Sequence, residues 1–157
     1  MNHNSQIPPK LGGCTDEEWG GYNRDPCSWC IRELHNPSDD IRTNAADILR
    51  GLGADAINAI PALVRCFSDP DDMFRSYCIH AVSDIAWAIR IKTGTTTPSL
   101  INAIPHIISL LEDRCDDVVC SAIVAIESIG TDAYPALNRL IQIAETGTDE
   151  LRSFAKS

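Results

Sequence analysis

At 157 residues the chain has the length of one domain, enough to bury most of its apolar surface. Apolar residues make up 44% and charged residues 22%, the mix of an ordinary folded soluble chain; 22 acidic against 13 basic residues leave a formal net charge of -9. That field repels nucleic acid and anionic lipid at long range, so neither is an expected partner unless a local basic patch exists.

In chain order, residues 1–13 (MNHNSQIPPKLGG) are polar, with a Pro-Pro and a Gly-Gly, and predict a flexible segment. They carry neither the apolar run nor the basic opening of a signal peptide. Thr15 to Glu18 has the Thr-x-x-Glu spacing of a capping box and predicts a short helix. From Pro26, PCSWCIREL reads as another helix, and HNPSDD as a turn resembling FSDPDD further on.

Three segments then superimpose without gaps: IRTNAADILRGLG from Ile41, FRSYCIHAVSDIA from Phe74 and VVCSAIVAIESIG from Val118. A fourth, LRSFA, begins at Leu151. Each of the three precedes a proline in a shared setting, NAIPAL, NAIPHI or DAYPAL. The starts at 41, 74, 118 and 151 are 33, 44 and 33 residues apart, so the middle interval carries 11 extra residues around RIKTGTTTPSL. Such a period, with two helices per unit, marks a helical-repeat array.

Within a unit, Ile41, Ala45, Ile48, Leu49 and Leu52 recur at helical steps and form one apolar face. Ser38, Asp39 and Asp40 predict a cap and favourable charge at the helix start, and Gly53 and Gly130 left-handed ends. Pro61, Pro105 and Pro135 fit the first turn of each second helix. Those helices are expected to bury Leu63, Val64 and Phe67; Ile107, Ile108 and Leu111; and Leu137 and Ile141. The fold expected is all-α: an α-α superhelix, a right-handed solenoid of about three and a half helical pairs. Its units are about 14–38, 39–70, 71–113, 114–147 and a partial 148–157.

The pattern Asp-x-x-apolar-Arg-x-x-Ala-Ala-x-x-Leu-x-x-Leu-Gly, then Ala-Ile-Pro-x-Leu, resembles the HEAT repeat, most closely the short subtype named after phycocyanobilin lyases. Asp39, Ile41, Arg42, Ala45, Ala46, Leu49, Leu52, Gly53, Ile60, Pro61 and Leu63 carry it. The resemblance implies an armadillo-like helical scaffold for protein binding, although such proteins also include transport adaptors, chromophore lyases and a few nucleic-acid binders. It further implies a structural ladder in which Arg42, Arg75 and Arg152 reach aspartates such as Asp69 and Asp113, broken at Val119. By the same resemblance, the second helices line the concave side, where partners bind.

Aligning the second helices gives three columns expected to face away from the core. One holds Arg32, Arg65, Ser109 and Arg139; the next His35, Ser68, Glu112 and Gln142; the third Trp29, Ala62, His106 and Ala136. The contact candidates are therefore Trp29, Arg32, Arg65, His106, Ser109, Arg139 and Gln142. Three arginines in register make a positive stripe that could clamp carboxylate or phosphate; alternatively they pair with acids such as Glu33 or Glu145. An anionic-ligand or nucleic-acid binder and a bilin-lyase-like protein stand as alternatives to the protein-binding reading.

Seven cysteines at irregular spacing give no disulfide framework and point to a reducing cytoplasm. Cys27, Cys30 and His35 have the spacing of three zinc-knuckle ligands, with Cys14 as a fourth, but Cys30 also falls in the core column of the helix. Cys27 and Cys30 could be redox-active if the helix start lowers a thiol pKa. The 93–98 insertion is either a partner-touching loop or a spacer that lengthens the preceding helix through Trp87 and Ile89. His80 and Asp84, four apart, predict a surface contact. No convergent catalytic set, cofactor motif or membrane span is evident, and an open terminal unit could dock another copy or a partner.

Overall fold

The computed structural model describes residues 25–155. The flexible opening, the capping-box helix at Thr15 and Cys14 lie outside the described residues. Among these there are eight α-helices and no strand: α1 (Pro26–Glu33), α2 (Asp39–Leu52), α3 (Ile60–Arg65), α4 (Asp72–Thr93), α5 (Pro98–Ser109), α6 (Asp116–Ile129), α7 (Leu137–Thr146) and α8 (Asp149–Ala155). Short 3₁₀ segments follow α2, α3, α5 and α6.

The helices form two layers. The first helices of the pairs, α2, α4, α6 and α8, pack side by side; α1, α3 and α5 and the segment leading into α7 form the second layer against them. The molecule is an all-α superhelix with one continuous core running from Trp29 to Leu151.

Position in the stack determines how much of each helix is apolar. α2 is amphipathic and buries Ala45, Ala46 and Leu49. α4 has neighbours on both sides, α2 and α6, and buries a far wider face that includes Phe74, Cys78, Ile79, Val82, Ile85 and Ile89. The α4–α6 seam holds two hydroxyl pairs seven residues apart on each helix, Ser76 with Ser121 and Ser83 with Ser128, both at 2.8 Å. Small hydroxyl residues let the helices approach closely while satisfying each other's hydrogen bonds, which fixes the register of the two helices. Asp71 caps α4 by accepting from the backbone N–H groups of Met73 and Phe74.

Several local expectations change. Ser38 stands at the start of α2, but its side chain makes no capping bond. Of the three prolines, only Pro61 sits in the first turn of its helix. Pro135 lies in the 3₁₀ segment before α7, and Pro105 lies inside α5. The insertion causes the latter, because α5 already begins at Pro98, and without an N–H Pro105 cannot donate to the carbonyl of Ile101 one turn back. The insertion mostly lengthens helices: α4 runs to Thr93, ends on Gly94 in the left-handed region, and only 94–97 are loop. Gly53 and Gly130 have positive φ but ψ near −129° and −141°, a region essentially reserved for glycine rather than the left-handed helical one. At Gly130 a Cβ would also collide with the Arg90 guanidinium.

The ladder forms in one place. Arg75, almost fully buried, grips Asp113 through both arms of its fork at 3.0 and 2.7 Å and donates to the Asp69 carbonyl at 2.9 Å. Arg42 instead pairs with Asp39 on its own helix and lies over the Phe74 ring, 4.9 Å from its centroid. Arg152 pairs with Asp149, also within one helix.

Candidate functional site

The second-helix layer carries a groove of about 700 Å³ between α3 and α5. Ile60, Val64 and Ala103 form its apolar floor; Pro61, Arg65 and Ser68 rise on one side, Ser99, Asn102 and His106 on the other. Ile60 and Ala103 are buried while Arg65, Ser68, Asn102 and His106 are exposed, so the walls are polar above a dry base.

The seven expected contact residues meet different fates. Arg65 and His106 share this groove. Arg32 points its Nε at Glu33, 3.0 Å away, and Glu33 is fixed by Asn36 at 2.7 Å. Arg139 is drawn to Glu112, with Nη2 at 2.9 Å from Oε2 and Nε at 2.5 Å from Oε1. Ser109 donates its hydroxyl to the His106 carbonyl at 2.6 Å, within the same helix. Gln142 is exposed on α7. Trp29 does not face outward: it is 2% exposed, as are Ala62 and Ala136 in the same column to within two points. Of that column only the polar His106 stays at the surface. The arginine stripe is thus interrupted by intramolecular acids at both ends.

Arg65 is different. Among the described residues every other Arg and Lys side chain has an acid or a backbone carbonyl as partner, whereas Arg65 has neither. Asn102 and Ser99 beside it were not singled out by sequence reasoning. The available signal was the Asn of NAIP, which recurs at Asn58 and Asn102.

The last pair corrects a core assignment. Leu137 and Ile141 are 46% and 47% exposed, and Tyr134 is 74% exposed. Their counterparts Leu63, Phe67, Ile107 and Leu111 are buried beneath the succeeding unit. After α7 the described residues offer only the seven-residue α8, which packs on α6 and α7 without covering that face.

Cys27 and Cys30 both stand on α1, while Cys14, the further candidate ligand, lies outside the described residues. Among the described residues no three His, Cys, Asp or Glu side chains converge as a metal site. Cys30 is in the core, and burial, reinforced by Cys27, Glu33 and Asp25, pushes its thiol up to about 12. Burial and then the Asp25 charge also raise Cys27, opposite to the lowering expected at a helix start. His80 meets Ser121 Oγ at 3.2 Å across the seam, while Asp84 is taken by Arg50 at 3.0 Å, so the expected His80–Asp84 contact does not form.

These features define a helical-repeat solenoid. A designed armadillo repeat protein in complex with the peptide (KR)4 matches at TM-score 0.67 and 18% identity over 89% of this chain and 63% of that one. Two proteins described as engineered match at TM-scores 0.63 and 0.62, each 18% identical, over 83% and 91% of this chain. The chain spans 60% and 39% of their lengths. No family model and no curated protein matches the chain. No helix among the described residues is long and apolar enough to cross a membrane.

Proposed function

We propose that this protein is a protein-binding module of HEAT-like repeats that holds its partner along the second-helix layer, the concave side of the solenoid. One observation supports this above others: the α3–α5 groove combines an apolar floor with polar walls whose side chains have no partner among the described residues. Apolar area with a few unsatisfied polar groups is what a protein segment needs for affinity and orientation. The designed armadillo protein with its bound peptide offers an analogy for a segment lying along such a layer. Polyanion binding is disfavoured, because the stripe it would use is neutralised at Arg32 and Arg139 against a net charge of -9.

The test is partner capture from the cell of origin with two variants. Asn102→Trp fills the groove; Trp87→Ser alters an exposed residue of the first-helix layer. Loss of the partner with Asn102→Trp and retention with Trp87→Ser is expected; the reverse pattern removes the reading.

A further inference from the structure

We infer that the α3–α5 groove selects a segment of partner protein carrying a single carboxylate next to an aliphatic side chain, with Arg65 as its anchor; this rests on the protein-binding reading above. Ten Arg and Lys side chains fall among the described residues, and nine of them are engaged by the protein itself. Arg65 alone keeps all its guanidinium donors free, and it does so at the wall of the groove rather than on an open surface. Of the residues that line this groove, only Arg65 and His106 can carry charge, and neither is acidic. The local sign is therefore positive within a molecule of net charge -9.

These two facts bound the occupant. A guanidinium takes a carboxylate by two parallel hydrogen bonds, the strongest contact this groove can offer. The surrounding negative field turns away a polyanion, so one acid in an otherwise neutral segment fits better than an acidic run. The exposed Pro61 and half-buried Val64 beside Arg65 supply the apolar contact for the neighbouring residue, and Asn102 can pair with the peptide backbone. A segment bearing Lys or Arg at the same place would meet the unpaired Arg65 with like charge.

Selection from a random peptide display library against the full chain tests this, with Arg65→Gln, Arg32→Gln and Asn102→Trp as comparison proteins. Arg65 is exposed and unpaired, so Arg65→Gln should leave the urea midpoint unchanged. The expected result is a set of wild-type binders sharing an aliphatic–Asp or aliphatic–Glu pair. Their affinity should fall roughly tenfold or more in Arg65→Gln, as loss of a charge-assisted hydrogen bond requires, and hold in Arg32→Gln. Binders that Asn102→Trp abolishes but that lack an acid, or that ignore Arg65→Gln, overturn the inference and leave the groove reading standing. Binders indifferent to Asn102→Trp overturn both, as does a selection that yields none.

Discussion

Leu63 and Leu137 occupy the same step of the repeat, two residues after Pro61 and Pro135, yet Leu63 is fully buried and Leu137 is 46% exposed. Truncating each to alanine compares the contribution of the succeeding layer at the same step of the repeat. At Leu63 the loss is apolar transfer plus a cavity that neighbouring helices cannot close, about 2–5 kcal/mol. At Leu137 only about half of the side chain leaves contact and water fills the space, so the loss is roughly 1 kcal/mol. For a chain of this size each kcal/mol moves the melting temperature by about 2–4 °C, so the variants should differ by roughly 2 °C or more. Urea unfolding followed by far-UV circular dichroism, with the m-value checked for constancy, gives both costs. Equal losses, or a larger loss at Leu137, would refute the view that burial here is conferred by the next unit.

Arg75→Met should cost about 3–5 kcal/mol by stranding Asp113, and the double variant with Asp113→Leu should lose less than the sum of the single ones in a double-mutant cycle. For Asp113, burial by itself would raise the carboxyl, but Arg75, the Cys115 N–H and the Arg114 charge outweigh it and hold the group below 3.8. Its folded value is thus depressed, so its stabilisation is complete above about pH 4 and fades as pH falls toward the folded value; an acid titration of Asp113→Asn should show a shallower decline. His80 is also depressed, by burial first, with Arg50 adding and Asp84 opposing. The wild type should therefore lose stability as pH falls below about 6.5, since the unfolded chain binds that proton more readily, and His80→Gln should flatten this limb of the pH–stability curve. Gly130→Ala should destabilise by about 1–3 kcal/mol through its backbone conformation, before the Arg90 clash is counted. Gly51→Ala, in open space within α2, should stabilise by about 0.4–1 kcal/mol in the same urea assay.

Most of the architecture was legible in residue order alone. Helical spacing of apolar residues, repeated at 41, 74 and 118 with a proline setting after each, determines paired helices that cannot bury their faces singly and so must stack. The expected core places of Leu63, Phe67, Ile107 and Leu111 are likewise buried. It failed at the edges of the stack. Trp29 went inside and Leu137 and Ile141 came partly out, because periodicity says which face is apolar and not whether a neighbour covers it.

Charge partners were decided only by the folded chain. Arg32, Arg65 and Arg139 are equivalent in sequence, yet Glu33 and Glu112 claim two of them and leave the third free. Arg42 and Arg75 likewise share one repeat position, and only Arg75 finds an aspartate from the following turn, 38 residues away. A helix period fixes directions to within a face some tens of degrees wide, whereas a hydrogen bond needs atoms placed to a few tenths of an ångström. That precision comes from how the layers pack, which is why the repeat was written in the sequence and the arginine left unpaired among the described residues was not.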